Sequence, residues 1–317
     1  MSEASPRALY GTLTARAALF SVGTAVFLVM LKGIALWRTG SVAMLGSLAD
    51  TGLDLLASLI TLYGVRLAAL PADHDHRFGH GKAEAIASLF QVGIISFSAV
   101  GIAWRAIERL VHGEATANAG LGIIVSLVAI ATTLMLLGYQ RRVIEKTGSI
   151  AIRTDHLHYK SDLLLNLSVI AALALDQYAG FTGADALFGL LIALWLGWGA
   201  WRASANAIDQ LMDREWPEER RQQFLAVAGG HPEISGIHDL RTRTSGSRDF
   251  VQFHVWLEPR MTVSEAHRIM DEIEDKVAAS FPGVEILIHF DPKEQIDQPG
   301  NRLAETDDTR IVEGKAP

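Results

Sequence analysis

The chain has 317 residues, half of them hydrophobic, with a mean hydropathy of +0.23, 20% charged residues and a formal net charge of −7. It is too apolar for an ordinary soluble enzyme. It has no cysteine, which excludes disulfide frameworks, Cys-ligated zinc ribbons and thiol redox chemistry, so any metal must be held by nitrogen and oxygen.

Residues 1–205 carry 15 Lys and Arg against 13 Asp and Glu, whereas 206–317 carry 13 against 22. An apolar half is followed by a wet, acidic one. An acidic soluble part argues against a nucleic-acid partner, whose phosphates need a basic surface. Apolar stretches near the twenty or so residues needed to cross a bilayer lie at about 13–36, 42–70, 84–108, 119–140, 157–178 and 183–205. They predict six membrane helices. The first runs past a typical signal-peptide core through Lys32 and Trp37 without a small-residue cleavage site, and is expected to remain as a helix. Ten Lys and Arg flank one side of the spans, among them Arg16, Arg66, Arg77 and Arg141, against Lys32, Arg38, Arg105 and Arg109 on the other. The positive-inside bias therefore predicts cytoplasmic termini, a cytoplasmic second half and cytoplasmic loops at 71–81 and 141–153.

After Asp213, Pro217-Glu218-Glu219 marks a helix start, with proline early and acids in the first turn, and Gly229-Gly230 marks its stop. Ile237–Thr244 and Phe250–Leu257 have strand composition around the turn Ser245-Gly246-Ser247. Thr262–Ser280 has helical periodicity, and Val284–Phe290 is a third strand. The order αββαβ predicts a small α+β domain. The expected organisation is a transmembrane domain over 1–208, a second domain over 209–292 and a disordered polar tail over 293–317.

Ionisable side chains inside a span need a reason, because each costs several kcal/mol to bury there. Asp50 and Asp54 fall in the second span, His158 and Asp162 in the fifth, and each pair is spaced i, i+4 on one helix face. Turned towards each other, the two faces give one nitrogen and three carboxylates around a point, a tetrahedral divalent-cation site of the kind zinc favours. Three close carboxylates would repel unless a cation or protons balance them. In the loop after the second span, Asp73, His74, Asp75, His76 and His80 could bind a second metal, and spacing does not decide among them. The acidic domain places His238 and His254 on adjacent strands, His267 on the following helix, and His289 with Asp291 on the last strand. Four histidines and an aspartate in so small a domain indicate a metal role.

Ser47-Leu48-Ala49-Asp50-Thr51-Gly52-Leu53-Asp54, the stretch Pro71–Glu84, His158-Tyr159-Lys160-Ser161-Asp162 and Gly236-Ile237-His238-Asp239-Leu240-Arg241 together carry a family resemblance. The chain resembles the cation diffusion facilitators, close to their bacterial zinc and ferrous-iron efflux branch, from the first span to about Pro292. The resemblance implies a polytopic α-helical membrane protein with six transmembrane helices and a C-terminal ferredoxin-like, metallochaperone-like cytoplasmic domain, assembled as a homodimer in the bacterial inner membrane. It implies a transport site at Asp50, Asp54, His158 and Asp162 and a loop site at Asp73, His76 and His80. It also implies a binuclear cluster at His238, His254, His267, His289 and Asp291, where the cytoplasmic domains meet. Lys82 and Asp213 match the charge pair with which the family interlocks its protomers.

The expected activity is export of a divalent metal, Zn²⁺ first with Cd²⁺ or Fe²⁺ as further cargo, in exchange for H⁺, because metal binding demands deprotonated ligands. The non-transporting alternative is a membrane-anchored metal sensor, and the uncoupled one is a channel. An intramembrane metalloprotease would need an open metal position and a general base, and the chain contains no H-E-x-x-H.

Overall fold

The computed structural model describes residues 6–39, 42–112, 120–179 and 183–293. Among these, six long helices precede a smaller αββαβ set, and the chain divides into two compact units, Met1–Asp209 and Gln210–Pro317. From residue 294 onward the polar tail lies outside the described residues.

The first unit comprises α1 (Pro6–Thr39), α2 (Val42–Ala68), α3 (Ala83–His112), α4 (Gly120–Thr147), α5 (Ile150–Ala179) and α6 (Ala184–Leu211). At 27 to 34 residues each they are about 40–50 Å long, enough to cross a hydrocarbon core of about 30 Å. Among the described residues, α1, α2, α3, α4 and α6 contain stretches long and apolar enough to span. Arg153, Asp155, His156, His158, Lys160 and Asp162 interrupt the apolar run of α5. The helix packs against α1, α2, α3 and α4, so that Asp155 and His158 are buried and Asp162 is half-buried.

The expected loop at 141–153 is almost all helix. Gly148 adopts φ 66°, the left-handed conformation that ends α4 without a Cβ clash. Ser149 follows and its hydroxyl accepts from the Ile152 N–H at 3.3 Å, starting α5 seven residues before the apolar stretch begins. The ionisable residues of α5 are thereby held at fixed angles on one rigid rod.

Small residues let these helices approach. The buried face of α1 offers Ala17, Ala18, Ser21 and Ala25, and Ile95 and Ala99 of α3 pack with Leu196 and Ala200 of α6. Such contacts suit membranes, where association depends on close packing because lipid removes the hydrophobic drive between helices. Large apolar side chains point outward instead, among them Phe20, Trp37, Phe97, Trp104 and Trp201.

In the second unit, α7 (Glu218–Ala228) and α8 (Val263–Ser280) cover one face of a sheet made of β1 (Ile237–Ser245), β2 (Arg248–Leu257) and β3 (Val284–Pro292). Pro217 sets the start of α7, and a reciprocal Thr262–Glu265 capping box starts α8. β1 and β2 are antiparallel and β3 joins β2 in parallel. The β1–β2 link is tight because Gly246 takes φ 59°. Alternation along β2 sends Val251, Phe253, Val255 and Leu257 into the core, together with Phe224 and Trp216, which stacks on Phe281 at 6.1 Å. The even positions of β2 face the other way.

Gly64 sits at a close approach of α2 to α3: an added Cβ would lie 2.3 Å from the Ala87 Cβ and 3.3 Å from the Ala83 carbonyl oxygen. Gly64→Ala is expected to destabilise the detergent-solubilised protein by about 1–3 kcal/mol through overpacking. Adding Ala87→Gly should recover most of the loss in a thermal melt.

Candidate functional site

Three groups of ligand-type side chains converge in the described residues, each with its donor atoms within 4.8 Å of one another. The first is Asp54, His158 and Asp162. The i, i+4 spacing on α5 stacks His158 over Asp162, and the Nε2 of His158 lies 2.9 Å from Oδ1 of Asp54 on α2 and 4.0 Å from Oδ2 of Asp162. The imidazole nitrogen is within hydrogen-bond distance of Asp54 and faces the Asp162 carboxylate across a longer gap. Asp162 Oδ2 and His158 Nδ1 are buried without a hydrogen-bond partner, a donor set with coordinating capacity left over. Asp50 is not in this group. One turn before Asp54, its carboxylate is 62% exposed and lies 3.9 Å from Arg105 of α3.

Buried hydrogen bonds fix α5 around the site. The Tyr159 hydroxyl donates to the Ser21 carbonyl at 3.1 Å and is 2.8 Å from the Ser58 hydroxyl, tying α5 to α1 and α2. Asp155 accepts from the Ser21 hydroxyl at 2.6 Å, the Gln140 amide at 2.7 Å and the Gln91 amide at 2.9 Å, joining four helices at one fully buried carboxylate. Glu84, also buried, accepts from Tyr10 and Ser149. The sequence reading singled out neither acid, although Asp155 was visible as an acid three residues before His158. Lys160 sits over the Trp195 ring at 5.4 Å, away from the ligands.

The second group is Asp73, His76 and His80. Asp73 Oδ1 accepts from the backbone N–H of His76 at 2.6 Å and of Asp75 at 3.0 Å, an Asx-type turn. The His76 bond is the main reason its carboxyl titrates below the usual range. Gly79, at φ 80°, lets the chain double back, bringing the His80 and His76 rings to 4.5 Å. His80 Nδ1 lies 3.2 Å from the Pro71 carbonyl and Nε2 lies 3.3 Å from Asp73, an arrangement that leaves Nε2 for coordination. His74 and Asp75 fall outside the group.

The third group is His238, His254 and Asp291, and it follows from strand register; His289, expected as a ligand, lies beside the group without entering it. His238 of β1 pairs with His254 of β2, and His254 pairs with His289 of β3, so three imidazoles form a row on the face opposite α7 and α8. Asp291, two residues beyond His289 and on the same face, is 3% exposed and lies 2.8 Å from His254, 3.1 Å from His238 and 3.4 Å from His289. His238 stacks on Trp256 at 4.1 Å. Asp239, at φ 48° beside a bulge, brings a further carboxylate within 3.7 Å of His254, which the sequence reading did not single out. A buried carboxylate among imidazoles, with His238 Nδ1 lacking a hydrogen bond, fits a borderline metal such as zinc. His267 does not join the row. It is 65% exposed beside Asp271 on α8, because Ala266, Ile269, Ile273 and Val277 direct that helix into the core. Lys82, at the entry to α3, and Asp213, 3.5 Å from Arg243, belong to separate compact units.

The chain matches the family description "Cation efflux transmembrane domain" over residues 18–212 and "Cation efflux protein, cytoplasmic domain" over 216–293. The cation-efflux pump FieF of Klebsiella pneumoniae is 42% identical over 283 residues, 89% of this chain and 94% of the relative. FieF of Escherichia fergusonii is 40% identical over 294 residues, covering 93% and 98%. A solved structure of CzrB, described as a candidate zinc transporter, is 35% identical, covers 25% of this chain and 98% of its own, and has a TM-score of 0.24.

His238 gives a pH test of the third group. Burial is the largest influence and lowers its pKa below the ordinary 6.5, Asp291 opposing and His254 adding to the shift. The unfolded chain therefore binds this proton more readily, and the stability associated with the neutral ring is full above about pH 6.5 and lost as pH falls through the folded value. Chelator-treated protein should show this loss for the second unit in denaturant titrations, with a shallower pH slope in His238→Phe.

Proposed function

The chain belongs to the cation efflux family, and from that premise we propose that it is an inner-membrane exporter exchanging cytoplasmic Zn²⁺ for H⁺, with Cd²⁺ and Fe²⁺ as further cargo. The observation that carries this reading is the Nε2 of His158 held between the carboxylates of Asp54 and Asp162 inside a helical bundle. A proton and a divalent cation are alternative occupants of that space. Each needs the lone pairs the other would use, so loading with metal expels protons and protonation expels metal. Coupled to rocking of the helices between inward- and outward-open arrangements, this competition is antiport. Asp50 completes the ligand set when its carboxylate turns from Arg105 towards Asp54.

A mixed nitrogen and oxygen site without thiolate selects transition metals over magnesium yet lets them go. The loop group of Asp73, His76 and His80 captures metal at the cytoplasmic membrane surface. In the cytoplasmic domain, His238, His254, His289 and Asp291 hold a resident metal, and His267 completes the binuclear cluster where two domains meet. Bound metal neutralises these acidic domains and draws them together, so the cluster acts as a dimer clamp and a sensor of cytoplasmic metal. Lys82 and Asp213 lock the protomers where membrane and soluble parts meet.

In proteoliposomes, opposed and saturable zinc and proton fluxes are expected, reduced more than tenfold in Asp54→Ala and Asp162→Ala. Zinc flux without proton movement would indicate a channel, and binding without flux a sensor. His158→Asp creates an all-oxygen site, which is expected to lower the ratio of zinc to manganese transport in the same assay.

A further inference from the structure

Two cations reach the turns of α2 around Asp50 and Asp54, and neither belongs to the ligand set. Lys32 lies within the α1 span, where a charged side chain is expensive. Its ammonium reaches across to α2, donating to the Thr51 hydroxyl at 2.6 Å and to the Ser47 carbonyl at 3.4 Å. Thr51 directly follows Asp50 and lies three residues before Asp54, so the ammonium is anchored on the acidic turn of α2. Arg105 approaches from α3, 3.9 Å from Asp50, whose carboxylate lies outside the Asp54–His158–Asp162 group.

We propose that Lys32 and Arg105 are built-in counter-ions of the transport site, competing with the transported cation for the carboxylates of Asp50 and Asp54 and keeping its affinity low enough for release. The inference rests on the transport-site reading above. A fixed positive charge repels a divalent ion twice as strongly as it repels a proton at the same place. A resident cation therefore weakens metal binding more than proton binding and tilts the competition on which exchange depends. The two cations also balance much of the carboxylate charge when metal has left, so the site can return through the membrane without recruiting a proton for every aspartate. Arg105 adds a gate of its own: Asp50 must give up the guanidinium before it can become a ligand.

The test measures zinc affinity of the full-length protein by competition with a chelating dye, taking the transport site as the component lost in His158→Ala. Lys32→Met is expected to bind zinc about tenfold tighter at that site while its zinc turnover in proteoliposomes falls. Lys32→Arg, which keeps the charge, should stay within about twofold of wild type, and Arg105→Met should bind severalfold tighter. A purely structural role for Lys32 would instead weaken binding and lower thermal stability. Equal or weaker affinity in Lys32→Met overturns the counter-ion proposal alone. Zinc binding unaltered in His158→Ala overturns the transport-site assignment, and the proposal with it.

Discussion

The structure depends on placing ionisable groups within helices that lipid surrounds. A carboxylate facing hydrocarbon is too costly to keep, so α5 carries Asp155, His158 and Asp162 on faces covered by its neighbouring helices. Asp155 sets the pattern. Hydrogen bonds from three different helices converge on its carboxylate, and this desolvated polar hub holds α5 at a fixed rotation within the bundle. His158, one turn further on, meets Asp54 because that rotation has been fixed.

The second unit solves a similar problem with a sheet. The row His238, His254 and His289 exists because one antiparallel and one parallel pairing keep register at a single level across three strands. A slip of one residue in either pairing would turn an imidazole into the hydrophobic core. The face that displays the row is kept clear because α7 and α8 both pack on the other side, where Phe224, Ile269, Ile273 and Val277 hold them. Protein stability and metal-site geometry thus use opposite faces of the same strands.

The three groups of ligand-type side chains differ in exposure. Asp73 and His76 sit at a surface loop and are more than half exposed, whereas Asp291 is almost wholly buried. The intramembrane group falls between them, with a buried histidine and partly open carboxylates. Without a cysteine in the chain, the donors of all three groups are imidazole nitrogens and carboxylate oxygens, which protons and metals compete for.

Much of the architecture was legible in the chain because it rests on local physics. Hydropathy placed the spans, Pro217 and the Thr262–Glu265 box placed helix starts, and Ser245-Gly246-Ser247 placed the hairpin. The i, i+4 spacing put His158 and Asp162 on one face, since helix geometry alone relates them. Sequence missed the length of α5, whose ionisable first turns look like a loop to any hydropathy count, and spacing left open which residues of the Pro71–Lys82 loop converge, although the family resemblance named Asp73, His76 and His80. Tertiary structure alone decided that Asp54 meets His158 while Asp50 turns to Arg105, that Asp155 joins four helices, and that His267 stands apart from the histidine row of its own chain. Those outcomes depend on the relative rotation and register of elements far apart in the chain, which packing of small residues and buried hydrogen bonds sets and which no spacing within a single element encodes.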